Sequence, residues 1–347
     1  MSDTTETARP LFGEVAVATR QISIEALEEC LGLQELRRRQ GAEVKIGELL
    51  FERGYLTEVQ VELILRLQKG QKKRLEVGGF EILDKLGQGG MSNVYKARDQ
   101  ATGRLVALKI MPPKAAENVS MRERFRREAR AAMMLDHPNI VKGITAGEDS
   151  GFYYFAMEYV RGRSLLRLIR RHGKLPERRA AYIARQVADA LDHANAFGVL
   201  HRDIKPANIL VHADDFVKLT DFGLSRFYAS DETMLTLPGT AVGTPYYMSP
   251  EQARGEPDLD IRSDLYSLGA TLHEMLTGQP PHAGASVAVV LAQHLTKTPT
   301  DPREFNPEVS EKMCQVTRRL LAKKREDRYQ TPRELVADLD AILDGER

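Results

Sequence analysis

The sequence predicts an α+β chain in three stretches: a small all-α repeat module, then a β-rich lobe, then a helical lobe. Three observations predict it. Residues Phe12 to Gln34 align without gaps on Ile46 to Gln68, at an offset of 34. From Phe80, short alternating apolar segments are separated by Gly-containing turns, the pattern of antiparallel strands. After Leu165, the apolar positions recur mostly at helical spacing.

Residues 1–10, MSDTTETARP, are polar and acidic and are taken as a disordered N-terminus without a secretory signal. In the repeat over 11–68, Gly13-Glu14-Val15 matches Gly47-Glu48-Leu49, Ile22-Ser23 matches Leu56-Thr57, and Leu31, Leu33 and Gln34 match Leu65, Leu67 and Gln68. Each repeat reads as a short helix, a turn and a second helix. Ser23 and Thr57 stand where N-caps belong, and Thr57 with Gln60 fits a capping box. Two such helix pairs suffice for one small four-helix module. Residues 69–79, beginning Lys-Gly-Gln-Lys-Lys-Arg, read as a solvated linker. The domain over 80–344 then opens with strands at Phe80 to Leu86, Val94 to Arg98 and Leu105 to Ile110. A helix from Arg122 to Leu135 follows, then a strand from Gly151 to Tyr159, then helices that include Glu177 to Ala196 and Asp264 to Leu276.

Composition removes several function classes. Fifty Lys and Arg against 49 Asp and Glu leave a formal charge of +1, which disfavours a chain that coats nucleic acid or an anionic membrane. Cys30 and Cys314 are far apart and form no CxxC pair, so neither a disulfide framework nor a zinc knuckle is expected. No run approaches the ~20 apolar residues that span a bilayer. The expectation is a soluble, cytoplasmic protein without a transmembrane segment and without a nucleic-acid partner.

Leu86-Gly87-Gln88-Gly89-Gly90-Met91-Ser92-Asn93-Val94 lies between two strands, not between a strand and a helix, which disfavours a dinucleotide fold. It fits a hairpin whose backbone N–H groups approach phosphate oxygens, and taken alone it fits an ordinary turn equally well. Fifteen residues past Val94 stands Lys109, on the same strand face as Ala107. Glu128, on the following helix, is a candidate acid to steady it. The decisive segment is His201-Arg202-Asp203-Ile204-Lys205-Pro206-Ala207-Asn208, followed thirteen residues after Asn208 by Asp221-Phe222-Gly223.

These blocks, in this order, resemble the eukaryotic-type (Hanks-type) serine/threonine protein kinases, in the GQGGMSNVY form of bacterial members, over about Phe80 to Leu343. The resemblance implies the two-lobed protein kinase fold and ATP-dependent transfer of a phosphoryl group to protein Ser/Thr hydroxyls. It implies that Asp203 orients the attacking hydroxyl and that Lys205 offsets charge on the γ-phosphoryl group. It gives Lys109 the α- and β-phosphates, with Glu128 steadying it, and gives Asn208 and Asp221 to Mg²⁺, with Mn²⁺ as an alternative. Leu86, Gly87, Gln88, Gly89, Gly90, Val94, Ala107, Met157 and Leu210 would surround ATP, with the backbone of Glu158 and Val160 along the adenine edge. Lys205 together with Thr244 marks the Ser/Thr class. Glu251 would pair with Arg328, and Asp264 would bond the backbone at His201-Arg202. Arg202, with Arg226 and Arg124, is expected to receive a phosphate on the activation segment, at Thr236 or Thr240 before Thr233. Ala207 stands where many basophilic kinases carry an acid. The competing class is a nucleotide-binding scaffold without catalysis; intact Lys109, Asp203, Asn208 and Asp221 speak against it.

The repeat resembles, more weakly, the N-terminal helical domain of type II secretion and pilus ATPases, through Lys45-Ile46-Gly47-Glu48-Leu49-Leu50 and Gly54-Tyr55-Leu56. Some of those domains bind cyclic di-GMP through an Arg-Leu-Gly start. Here the Arg positions hold Leu11 and Lys45, so a protein-docking or autoregulatory module is favoured over a cyclic di-GMP sensor.

Overall fold

The computed structural model describes residues 11–68, 75–88, 92–222 and 245–345. They form two compact units, residues 1–123 with Ile144–Tyr159, and Arg124–Gly143 with Val160 onward. The N-terminus read as disordered, Gly89 and Gly90 of the hairpin, and Thr233, Thr236, Thr240 and Thr244 lie outside the described residues.

The first unit opens with four helices, α1 (Phe12–Ala18), α2 (Ile24–Arg39), α3 (Ile46–Glu52) and α4 (Glu58–Gln68). Ser23 caps α2 by accepting from Ala26 N at 3.2 Å. Thr57 and Gln60 form the reciprocal box at the start of α4, with Thr57 N donating to Gln60 Oε1 (2.8 Å) and Gln60 N to Thr57 Oγ1 (3.2 Å). The strands are β1 (Glu76–Val77), β2 (Phe80–Gln88), β3 (Asn93–Asp99) and β4 (Leu105–Met111), then β5 (Gly143–Asp149) and β6 (Phe152–Glu158) after the short helix α5 (Pro113–Ala116) and α6 (Val119–Met134). They make one six-stranded sheet in the order β1-β2-β3-β4-β6-β5.

The linker read over 69–79 stops short of residue 79. Leu75 and Val77 are buried, β1 pairs with β2, and Gly78 N donates to Asp149 Oδ2 at 2.9 Å. Gly78 has φ +61 and lies where a Cβ would fall 2.3 Å from the Tyr154 ring, so only glycine makes this turn. Two apolar residues in so short a stretch are too few to register as a strand by alternation.

The compact unit is therefore drawn differently from the sequence-based domains. Phe12, Ala16, Leu49, Leu50, Leu56, Val59, Leu63 and Ile64 of the helices share one buried cluster with Phe80, Ile82, Tyr95, Ala97, Val106, Leu108, Ile110 and Ala156 of the sheet. The helical module covers the sheet; it is not tethered beside it.

The second unit is helical around a small sheet. β7 (Arg163–Ser164), β8 (Ile209–Val211) and β9 (Val217–Leu219) form an antiparallel trio. Around it come α7 (Leu165–His172), α8 (Glu177–Ala196), α9 (Pro250–Ala253), α10 (Ile261–Thr277), α11 (Val287–Thr296), α12 (Glu311–Leu320) and α13 (Pro332–Asp344). α8 and α10 carry the core. α8 buries small residues (Ala180, Ala181, Ala184, Ala188, Ala190, Ala194) that cost little helix propensity and admit close neighbours. α10 is buried almost end to end, and at Gly269 a Cβ would stand 2.6 Å from that of Leu320, which sets how closely α12 approaches. Cys30 and Cys314 are both free, buried thiols. Among the described residues no helix is long and apolar enough to cross a membrane.

Candidate active site

In the first unit, strand register sorts the residues assigned to ATP. Val94 lies opposite Lys109, Lys96 opposite Ala107, and Ala107 in turn opposite Met157. Cross-strand partners share a face, so Val94, Ala107, Lys109 and Met157 gather on one side of the sheet. Tyr95, Ala97, Leu108 and Ile110 point to the other side, into the core shared with the helices. Lys109 is buried although charged, at 7% exposure. Leu86 is exposed on β2, Gly87 pairs with Val94, and Gln88 ends the strand opposite Asn93. Glu158 closes β6.

In the second unit, the segment between α8 and β8 is held from several directions. The Asp264 carboxylate accepts from His201 N at 2.8 Å and from Arg202 N at 2.7 Å. Burial pushes the Asp264 carboxyl above its ordinary range, opposed by neighbouring His201 and by these two N–H donors. Arg202 sits at φ +65, a left-handed conformation unusual for a side-chain-bearing residue. Its peptide is gripped from both sides, since Gln252 Nε2 also donates to Arg202 O at 2.9 Å. Such strain persists only where the surroundings over-determine it.

His201 is fully buried and works through its ring. Its Nδ1 accepts from Asp203 N (3.2 Å) and its Nε2 meets Thr220 O at 2.9 Å, so the ring carries its proton on Nε2. It also packs on Phe222 with ring centroids 4.7 Å apart. Thr220 N bonds Asn208 O at 3.0 Å, which ties β9 to the end of the loop, and Asp221 follows at φ +65.

The result is a compact triad. Lys205 Nζ donates to Asp203 Oδ2 at 2.7 Å, and Asn208 Nδ2 donates to Asp203 O (2.9 Å) and Oδ2 (3.0 Å). Asp203 and Lys205 remain partly open to solvent, at 26% and 17% exposure, while Asn208 is buried. With its Nδ2 donating to Asp203, Asn208 keeps its carbonyl Oδ1 as an oxygen acceptor. That oxygen and the Asp221 carboxylate fit a hard divalent cation, which takes oxygen ligands and keeps phosphate oxygens and waters in its shell. Glu128 is buried on α6, Leu210 is half-buried on β8, and Val160 lies at the start of this unit's second segment.

A buried ion pair anchors the start of α9. Arg328 Nη1 and Nη2 reach Glu251 Oε1 and Oε2 at 2.7 and 2.9 Å, and Ser263 Oγ donates to the same Oε1 at 2.5 Å. Burial works against the Glu251 charge, but Arg328 and Ser263 outweigh it and hold the carboxyl below its usual range. Sequence reasoning missed Gln252, Thr220 and Tyr95. Gln252 and Thr220 act through bonds to backbone groups that leave no spacing signature, whereas face parity alone places Tyr95 opposite Val94, Ala107 and Lys109.

Residues 80–338 match the protein kinase domain family. The chain is 42% identical over 271 residues to serine/threonine-protein kinase PknB of Mycobacterium leprae, covering 77% of this chain and 43% of that protein. It is 40% identical over 273 residues to a probable serine/threonine-protein kinase of Streptomyces coelicolor, covering 78% of this chain and 40% of that one. It thus spans about two fifths of the length of these curated relatives. Among solved structures, the PknI kinase domain of Mycobacterium tuberculosis superposes with a TM-score of 0.60 at 29% identity, covering 76% of this chain and 96% of that one. With the catalytic-loop geometry, the sheet and the sequence match in agreement, this chain belongs to the protein kinase domain family.

Proposed function

We propose that this protein is a serine/threonine protein kinase that moves the γ-phosphoryl group of ATP to Ser or Thr hydroxyls of protein substrates. The observation that carries the reading is the Asp203–Lys205–Asn208 triad. Among the described residues, both donors that reach the Asp203 carboxylate sit on Oδ2, which leaves Oδ1 to take or orient the proton of an incoming hydroxyl. Lys205 is held 2.7 Å from that carboxylate and so brings a fixed positive charge to where the transferring phosphoryl gathers negative charge. Asn208 and Asp221 would hold the divalent cation, Mg²⁺ in the first place; bound there, it supplies neutralisation of phosphate oxygens. Lys109, on the face shared with Val94, Ala107 and Met157, would take the α- and β-phosphates, with Glu128 steadying it. Little covalent work falls to the protein, and positioning with charge stabilisation does the rest.

The test is phosphotransfer from γ-labelled ATP to a generic Ser/Thr-containing protein, comparing wild type with Asp203→Asn. Loss of roughly three orders of magnitude in kcat is expected; equal activity in the two proteins removes the mechanism.

Activation by autophosphorylation at Thr236 or Thr240 is part of the same reading, with Arg202 among the basic residues that would receive the phosphate. Phosphopeptide mapping of ATP-treated protein is expected to find one of the two modified. The helical repeat is assigned to docking or autoregulation. Calorimetry of the full chain with cyclic di-GMP is expected to show no binding, and heat of binding would reopen the sensor reading.

A further inference from the structure

Among the described residues, the module and strand β3 meet at a buried polar contact beside an apolar cluster. The Tyr95 hydroxyl lies 2.5 Å from Thr57 Oγ1, with Tyr95 fully buried on β3 and Thr57 at the N-cap of α4. Thr57 Oγ1 already donates to Gln60 Oε1 at 2.8 Å, so in this network the phenol is the donor. Gln60 Nε2 continues the chain to Gln21 Oε1 at 2.7 Å, and Gln21 Nε2 to Thr19 O at 3.1 Å. A continuous polar line therefore runs from the half-buried turn of the first repeat, through the buried cap of the second, to the middle of β3.

The other end of α4 is fixed as well. Arg66 Nη2 donates to Ser150 O at 2.8 Å, in the turn between β5 and β6, and its guanidinium lies 4.7 Å from the centre of the Phe152 ring. Thr57 and Arg66 are separated by about 13 Å of helix at ~1.5 Å per residue. Three strand spacings of about 4.8 Å cover a similar length, from β3 across β4 and β6 to β5. α4 thus lies across the sheet as a bar pinned at both ends.

What the bar holds decides its role. Tyr95 follows Val94, which points to the opposite face together with Ala107 and Lys109. The two arms of the glycine-rich hairpin differ: β2 has register breaks between Ile82 and Asp84 and between Lys85 and Gly87, while β3 pairs without interruption with β4 from Asn93 to Arg98. Bulges loosen and bend the strand that carries them. The position of the hairpin is therefore set by β3, and β3 is pinned from behind at Tyr95.

We propose that Tyr95 and Thr57 are positioning residues for the nucleotide: the N-cap of α4 fixes the β3 arm of the hairpin, so that the repeat module sets ATP affinity from the far face of the sheet. This inference rests on the kinase reading, and its first readout, equilibrium nucleotide binding, does not depend on phosphotransfer.

The experiment is titration of a fluorescent ATP analogue into the full chain, wild type against Tyr95→Phe, Thr57→Val and the double variant, with steady-state kinetics and thermal melts on the same preparations. Tyr95→Phe keeps the ring in the core and removes only the hydroxyl. Each single variant is expected to weaken nucleotide binding and raise KM for ATP by about three- to tenfold, with kcat within about twofold of wild type. The double variant is expected to be no worse than the singles, because both remove the same contact. A purely structural contact predicts the reverse pattern, with KM unchanged and kcat falling with the folded fraction, and that result overturns the proposal. Tight nucleotide binding by wild type and variants alike overturns this inference alone; a wild type that binds no ATP overturns it together with the kinase reading.

Discussion

The guanidinium of Arg328 closes on both carboxylate oxygens of Glu251, at 2.7 and 2.9 Å, with neither side chain open to water. Arg328 spends its remaining N–H groups on the carbonyls of Ala322, Arg262 and Lys323, so one residue ties together α9, α10 and the segment after α12. Removing one partner strands a buried charge. Glu251→Gln is expected to cost about 3–5 kcal/mol in chemical denaturation, and Glu251→Gln with Arg328→Met less than the sum of the two singles. Because the folded carboxyl is held below 4.5, its contribution is full above that pH and is lost as the pH falls further.

A second acid dependence comes from two buried imidazoles. His294 Nδ1 meets the Tyr266 hydroxyl at 2.9 Å, His282 Nε2 meets Lys323 Nζ at 3.2 Å, and the two rings stand edge-on at 4.8 Å. Burial, with help from Lys323, pushes them from 6.5 down to about 3 for His282 and about 4 for His294. The unfolded chain therefore takes up protons first. Stability is expected to be full above about pH 6.5 and to decline toward pH 4, with a slope of up to about 2.7 kcal/mol per pH unit for the pair. Urea melts at several pH values measure this. His294→Gln is expected to roughly halve the slope, and an unchanged slope would show that these rings do not govern it.

Lys205 is expected to act on the chemical step more than on nucleotide binding. It reaches the Asp203 carboxylate at 2.7 Å, and in the proposed mechanism its charge meets the transferring phosphoryl group, so Lys205→Met is expected to lower kcat by about 10²–10³. KM for ATP should move by no more than about threefold, and a large rise with kcat intact would assign Lys205 to binding instead.

The cover over the sheet makes a prediction about the fold. Leu63 is buried in the cluster that includes Leu108 and Ile110. Leu63→Ala is expected to destabilise the first unit by about 2–4 kcal/mol. Amide exchange in β3 and β4 should then quicken along with that in α4. Exchange confined to the helices would mean that the module unfolds on its own.

Much of this was legible in the residues themselves, for reasons that are local. The alternation in Val94 to Arg98 and Leu105 to Ile110, and the capping chemistry of Ser23 and of Thr57 with Gln60, are short-range consequences of backbone geometry, and the strands and caps stand where these place them. The roles proposed for Asp203, Lys205 and Asn208 come only through family resemblance, since spacing alone does not say that two donors converge on one carboxylate oxygen. What escaped is non-local. Tyr95 and Thr57 are 38 residues apart, with nothing in either neighbourhood to join them. Leu75 and Val77 sit behind a basic run that reads as linker, and their burial depends on a sheet and a helical cover that no local pattern announces.

The offset of 34 residues gives the polar line through Thr57 a meaning for the history of the chain. Ser23 corresponds to Thr57, but Ala26 stands where the second repeat has Gln60, so Ser23 caps α2 and bonds Glu25 beside it, while Thr57 also serves the sheet. A duplicated helix pair has thus divided its labour. The second member is bound to the hairpin by Thr57 and to the β5–β6 turn by Arg66, and a change at either position is felt there. The first presents Leu11, Ile24 and Leu31 to the outside. Sequence drift in this region should therefore run faster at the exposed positions of α1 and α2, where a new recognition surface can form without touching the contacts that α4 makes with the sheet.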